Sequence, residues 1–407
     1  MNIMEKLNKS ETLQSKIIVK QRLDDDLPVY DGGLGANPFP LPQIMIDKLI
    51  NYSDKKDYNN PEGIDELRNN IIKIYSNDNY EIEKVIVGNG LKELLYILLL
   101  SLKDEYKLYL ITPCWLSYIE QSKIIGIETE FIQTSHENNY KITSERLESI
   151  LSKKCSKKKV LLFNNPVNPT STVYYRDELQ DFSEVFKRND ILVISDEIYL
   201  NLTYPDIATK VESLSYYYDN VILGNSLSKE FTAGGWRLGW LTFSNKNIDI
   251  QEKCHILGSC IYSNASTPFQ YVAAEMLDYP HEFMVYLNDM NNLFMKIRNY
   301  CFTRFQKIAL STSYPEAAWY FFIDFRHYQS KLNKNGIFTS DELVSYLINE
   351  IGLITLSGKC FGSTEELTLR YSFVDIISPE KKEVDFFYKI KNITKALDQL
   401  ELLLGTL

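Results

Sequence analysis

Histidine is scarce. The 407 residues hold four, at positions 136, 255, 281 and 327, so an enzyme built from this chain takes its general acid/base from another residue type. Cysteine is present but unpatterned: the six, at 114, 155, 254, 260, 301 and 360, make no C-x-x-C pair and have no ligand-spaced histidines. That indicates neither a zinc centre nor a disulfide scaffold, calls for no metal, and points to a reducing cytoplasm. Long apolar runs are missing too. The longest, Leu94 to Leu100, is seven residues, against the roughly 20 needed to span a bilayer. The N-terminal MNIMEKLNKSETLQSK carries charges where a signal peptide needs an apolar core, which fits an unexported, soluble protein. Positive charge is in deficit: 44 Lys+Arg against 54 Asp+Glu leave a net −10. Such a chain repels phosphate backbones and anionic lipid, which argues against nucleic acid and membrane as partners.

What is present is an ordinary globular composition, 44% hydrophobic and 24% charged, with only 17 Gly and 13 Pro. The length suggests two or three domains. The first 27 residues are polar, end in Asp24 to Asp26 before Pro28, and read as an arm rather than a domain. From Glu81 to Ser244 short runs rich in Ile, Val and Leu recur with helical patterns between them: KVIV, LYLIT, KKVLLFNNP, DILVISDEIY, NVILGNSLSK and RLGWLTF. Strands buried on both faces look like this, and their alternation with helices predicts an α/β fold with a mostly parallel central sheet and helices on both faces. Beyond a helical stretch around Tyr271 to Lys307 come a strand at AAWYFFIDF, a helix near Ser340 to Ile351, a strand at LTLRYSF and a closing helix. These predict a second, smaller α+β domain. The basic run SKKCSKKK reads as a solvated loop.

In open α/β sheets ligands bind beyond the carboxyl ends of the strands. Four such ends carry unusual residues. Gly88-Asn89-Gly90-Leu91-Lys92 leaves a strand and opens a helix, where free N–H groups favour an anion. A dinucleotide fingerprint would need glycine where Glu93 stands, and a plain turn explains the segment equally well. Asn165-Pro166-Val167-Asn168-Pro169-Thr170 is a turn stiffened by two prolines, with Asn165 and Asn168 presenting amides. Asp196 ends the strand ILVI, where a buried carboxylate wants a cation or donors; Tyr199 follows three residues later. In NSLSKEFTAGGWRLGW, Ser226 and Ser228 flank Lys229, and Arg237 comes eight residues on. Hydroxyls and a guanidinium make an anion clamp, and a lysine in such surroundings is a usable nucleophile and base.

These residues resemble the class I/II aminotransferases, the fold type I family dependent on pyridoxal 5'-phosphate (PLP) and similar to aspartate and aromatic aminotransferases. The lysine signature reads Ser226-Leu227-Ser228-Lys229 with Gly235-Trp236-Arg237-Leu238-Gly239, and the likeness runs from about Gly35 to Arg370. It implies that Lys229 forms the Schiff base with PLP and shuttles the proton, that Asp196 pairs with the pyridine nitrogen, and that Asn168 and Tyr199 hydrogen-bond the ring's phenolic oxygen. It implies further that Trp115 stacks on the ring and that Gly90, Leu91, Lys92, Ser226, Ser228 and Arg237 form the phosphate cup. Tyr58 would reach the phosphate of a neighbouring subunit, making a homodimer. Arg370 would grip the substrate α-carboxylate, with Gly35 closing over the substrate. By residue pattern alone, Arg370 reads equally as a surface residue.

The implied organisation is an N-terminal arm with part of the small domain over 1–50, a large PLP-binding domain over 51–295 and a small domain over 296–407. The implied reaction moves the amino group of an L-amino acid to a 2-oxo acid with ping-pong kinetics; a PLP-dependent lyase, cyclase or synthase on the same fold is the alternative. Three positions depart from the family pattern: Ser171 and Ala318 replace glycines, and Ser357 replaces a proline. No sequence motif nominates a group for a distal substrate carboxylate.

Overall fold

The computed structural model describes residues 11–407. The apolar runs form one seven-stranded sheet from β1 (Lys84–Gly88), β2 (Tyr106–Thr112), β3 (Thr129–Gln133), β4 (Lys158–Asn164), β5 (Leu192–Asp196), β6 (Val221–Ser226) and β7 (Gly239–Phe243). Their spatial order is β1-β7-β6-β5-β4-β2-β3. All neighbours run parallel except β7, which is antiparallel to both β1 and β6. Period-2 alternation sends Val85, Val87, Leu161, Phe163, Val193, Val221 and Leu223 to one core, and Ile86, Leu108, Leu110, Val160, Leu162, Ile194 and Ile222 to a second on the other face. Each such buried aliphatic stabilises the fold by roughly 1.5 to 3 kcal/mol, which is why the strands carry apolar residues at successive positions.

A separate four-stranded antiparallel sheet follows, from β8 (Ser311–Thr312), β9 (Tyr320–Asp324), β10 (Leu356–Ser357) and β11 (Thr368–Ser372), in the order β10-β11-β9-β8. The helix Ser340–Ile351 begins at a capping box, in which the Thr339 side chain accepts from the Glu342 N–H while Glu342 accepts from the Thr339 N–H, and it ends on left-handed Gly352. A single 27-residue helix, His281–Lys307, leads into this sheet. The expected boundary at 295 therefore falls inside a continuous helix and not at a linker.

The N-terminal segment is not simply extended. Residues Glu11–Asp24 form helix α1, and Tyr30–Asp31 then pairs in parallel with Leu353–Ile354. Apolar periodicity does not announce α1, because its outer face leaves Leu13 and Ile17 exposed. Tertiary contacts hold it: Ser15 is buried, and the Arg22 Nε donates to the Pro28 carbonyl at 3.1 Å. Among the described residues no helix is long and apolar enough to cross a membrane.

Candidate active site

Strands β5 and β6 lie side by side, with Asp196 opposite Gly224. Asp196 is the last residue of β5, and Lys229 follows the end of β6 by three residues, so the topology brings the two predicted groups to one sheet edge. Asp196 is buried. Its Oδ2 accepts from the Tyr118 phenol at 2.5 Å and its Oδ1 from the Ile198 N–H at 3.1 Å. Burial pushes its carboxyl up to about 6, and the Tyr118 hydrogen bond, the Ile198 N–H and the Lys229 charge hold it from rising further. The Lys229 amine donates to the Gly35 carbonyl at 2.6 Å and faces the rings of Tyr199 and Trp319, 5.4 and 5.6 Å from their centroids.

The turn after β4 is tied to the same edge. Asn164 donates to the Asp196 carbonyl at 2.9 Å and accepts from the Asn168 N–H at 2.9 Å. Tyr199 and Tyr320 share a hydrogen bond between their hydroxyls at 2.9 Å, and the Tyr320 hydroxyl also donates to the Gly35 carbonyl at 3.4 Å. Burial and the adjacent Tyr320 hold the Tyr199 phenol well above its ordinary range. Ser171, which stands where the resemblance implies glycine, adopts a left-handed φ of 55°, and its Oγ accepts from the Tyr320 N–H at 3.0 Å. That substitution therefore adds a link between this turn and β9.

A cationic cup lies alongside. Helix α2 (Leu91–Leu102) starts at Gly90, whose φ is 89°. A Cβ at Gly90 would sit 2.5 Å from the Arg237 Nη2, and one at Gly239 would sit 2.6 Å from the Leu91 nitrogen. Only glycine satisfies both the left-handed backbone and the close approach. Among the described residues the Arg237 guanidinium is held by carbonyls alone, Gly234 at 3.0 Å and Asn89 at 3.2 Å. Lys92 lies 5.5 Å from the Trp115 ring centroid. Burial, with the Arg237 charge second, lowers its ammonium from the ordinary lysine range. Ser226 is buried and accepts from the Ser228 N–H at 3.1 Å.

Arg370, in the middle of β11, is only 1% exposed. Its guanidinium lies between the rings of Tyr320 and Phe361, with Cζ 4.6 and 5.0 Å from their centroids. Nη1 donates to the Asn168 Oδ1 at 3.3 Å and Nη2 to the Gly33 carbonyl at 2.6 Å, while Nε is buried with no partner. Among the described residues it meets no carboxylate. The equally buried Arg298, by contrast, is neutralised by Asp206 at 2.7 Å. A desolvated guanidinium with an idle donor is built to receive an anion that the chain does not supply.

Gly35, Leu91, Lys92, Trp115, Asn168, Asp196, Tyr199, Ser226, Ser228, Lys229, Arg237 and Arg370 line one cavity of about 510 Å³. Gly90, the N-cap of α2, does not line the cavity itself but lies against the Arg237 guanidinium. Tyr58 is 89% exposed and does not line it. Among the described residues no group of three or more His, Cys, Asp or Glu could hold a metal ion.

Residues 34–376 match the family model described as aminotransferase class I and II. The chain belongs to that family. Curated relatives include the aspartate aminotransferase of Bacillus sp. (strain YM-2), 29% identical over 95% of this chain and 98% of its own length. That of Bacillus subtilis (strain 168) is 31% identical over 84% of this chain and 86% of its own length. Among solved structures, the aspartate aminotransferase of Thermotoga maritima superposes with a TM-score of 0.83 at 24% identity, covering 100% of both chains. The protein is a PLP-dependent aminotransferase of fold type I, and the lyase, cyclase or synthase alternative is not favoured.

In this aminotransferase the cavity residues that escaped sequence reasoning include Tyr118, Tyr320 and Lys16. Tyr118 had a signal, since it lies one helical turn after Trp115 and so shares its side of the helix Leu116–Ile125. Tyr320 shares a parity with Phe322 in an apolar strand, and nothing in the pattern separates it from core. Lys16 belongs to α1 and had no local signal.

Proposed function

We propose that the cavity carries out amino transfer between a dicarboxylic amino acid and a 2-oxo acid, with Lys229, Asp196 and Arg370 in the leading roles. One observation carries the reading: a lysine amine, a buried acid and an unneutralised buried guanidinium converge on a single cavity. The relatives named aspartate aminotransferase support the dicarboxylic substrate.

The donor set fits PLP. Arg237, which rests on the Gly234 and Asn89 carbonyls, the first turn of α2 and the hydroxyls of Ser226 and Ser228 suit a phosphate. Asp196 suits a protonated ring nitrogen. Trp115 lines the cavity and would stack on the ring, and Asn168 and Tyr199 would hold the ring's phenolic oxygen. When bound, PLP supplies an aldehyde that joins an amine and a ring that takes up the electron pair of the Cα–H bond.

The chain's residues divide the remaining work. Arg370 holds the α-carboxylate through its free edge, which fixes the orientation of the Cα–H bond. With PLP bound, Lys229 would hold its aldehyde carbon, and the Lys229 amine would be the base for the Cα proton and the acid that delivers it to that aldehyde carbon. Asp196, fixed as an acceptor by Tyr118 and Ile198, keeps the facing nitrogen protonated through its charge. Gly35 holds the Lys229 and Tyr320 side chains at the mouth. Each half-reaction releases its product before the second substrate enters, giving ping-pong kinetics.

The division into residues 1–50, 51–295 and 296–407 is supported by the separation of the seven-stranded sheet from the four-stranded one and by the pairing of Tyr30–Asp31 with Leu353–Ile354, with the helix His281–Lys307 running across the second boundary. The exposure of Tyr58, away from its own cavity, supports a homodimer in which it serves the neighbouring site. Six free cysteines suit a cytoplasmic protein. The test is a spectral titration of the PLP-loaded enzyme with a panel of amino acids. Aspartate or glutamate should bleach the visible band and a 2-oxo acid should restore it; release of ammonia without such cycling would overturn the proposal.

A further inference from the structure

The charged side chains lining the cavity are five cations, Lys16, Lys92, Lys229, Arg237 and Arg370, and one acid, Asp196. Four of the cations are engaged. Lys229 and Arg237 rest on carbonyls, Arg370 on a carbonyl and the Asn168 amide oxygen, and Lys92 on the Trp115 ring. Neither the Lys16 nor the Lys92 ammonium has a hydrogen bond or ion pair among the described residues, and Lys16 also lacks the ring contact that Lys92 makes with Trp115. Its neighbour Ser15 is 3% exposed and packs on Gly33, where an added Cβ would meet the Ser15 Cβ at 3.0 Å. Gly33 in turn gives its carbonyl to Arg370 at 2.6 Å. One loop thus seats both α1 and the guanidinium assigned to the α-carboxylate.

We infer that Lys16 is a specificity-determining residue, whose ammonium receives the side-chain carboxylate of a dicarboxylic substrate. The inference rests on the reading of Arg370 as the α-carboxylate site. A phosphate and an α-carboxylate account for Arg237, Lys92 and Arg370, and Lys229 is covalently employed. A second anion entering with the substrate therefore meets Lys16, the cavity cation that is uncommitted among the described residues. Lysine suits the task as a point charge on a flexible stem, reaching from a helix at the rim, where the interaction is modest and salt-sensitive.

The test uses full-length, PLP-loaded enzyme and two unreactive ligands, succinate and butyrate, measured by calorimetry. Steady-state turnover of glutamate and of alanine is followed in parallel. Lys16→Gln should weaken succinate binding and glutamate kcat/KM about three- to fivefold at low salt, with butyrate and alanine unchanged. Lys16→Arg should restore the preference, and 1 M salt should shrink the difference. Equal losses on both ligand classes would show a structural role of α1 and overturn the inference. So would an unchanged succinate affinity, or loss of the charge preference in Lys92→Gln while Lys16→Gln keeps it. If wild type turns over amino acids and Arg370→Ala loses both ligand classes, the Arg370 reading stands whatever Lys16 does. If Arg370→Ala binds butyrate normally, that reading fails.

Discussion

Arg370 donates to the side-chain oxygen of Asn168 at 3.3 Å, joining the small sheet to the turn that closes β4. The contact leaves Nε without a partner in a site 1% exposed. Removing the guanidinium deprives an incoming carboxylate of its counter-charge. Arg370→Ala should therefore raise the substrate dissociation constant at least about 30-fold, for a loss of roughly 2 to 5 kcal/mol. Arg370→Lys should recover only part of this, since an ammonium lacks the planar fork. Affinity for butyrate, measured on the PLP-loaded enzyme, checks both, and an unchanged value removes the assigned role.

Among the described residues the Lys229 amine makes one hydrogen bond, to the Gly35 carbonyl, beside its contacts with the Tyr199 and Trp319 rings. Truncating it should abolish turnover and the visible absorbance of the loaded enzyme. Far-ultraviolet circular dichroism and the thermal midpoint of the cofactor-free protein should stay near wild type. A Lys229→Ala protein that keeps both colour and turnover would show that another amine holds the cofactor.

The parts of the site that were legible are those at strand ends. Apolar runs announce buried strands, and Asp196 and Lys229 stand where those runs stop. Arg370 was ambiguous for a physical reason: Thr368, Arg370 and Ser372 form the polar parity of β11, a pattern that ordinarily marks a solvated face. Here that face is buried, with Arg370 turned to the cavity. The Tyr118 hydrogen bond spans 78 positions and leaves no local trace. Helix α1 escaped notice because its stability is tertiary, through Ser15 and Arg22, and Lys16 was lost with it.

Gly35 offers a steric test. A Cβ there would lie 2.3 Å from the Tyr320 hydroxyl oxygen and 3.0 Å from two ring carbons. Gly35→Ala should push the Tyr320 phenol off Tyr199 and lower kcat, by about tenfold if one active-site hydrogen bond is lost. Tyr320→Phe removes the worst clash, so the double variant should be less impaired than the two single losses combined. Steady-state kinetics on the four proteins complete the cycle, and strict additivity would mean that the two residues act independently.

Asp196 sets a pH signature for the cofactor-free protein. Its carboxyl is raised from 3.8 to about 6, first by burial, so the fold favours the protonated form. The stability linked to this group is fully present below its unfolded value of 3.8 and is lost as the pH rises through about 6. Asp196→Asn carries no charge at any pH and keeps an acceptor for Tyr118. Without cofactor it should be more stable than wild type above pH 6, by about 1 to 3 kcal/mol, and the gain should vanish near pH 4. With PLP bound, the sign should reverse at neutral pH, because the wild-type carboxylate then faces a cationic nitrogen and the amide does not. Thermal unfolding of both proteins, with and without PLP at pH 4 and pH 7.5, separates the cases. A gain that persisted at pH 4, or that survived cofactor binding, would show that Asp196 does not meet a cation in this cavity.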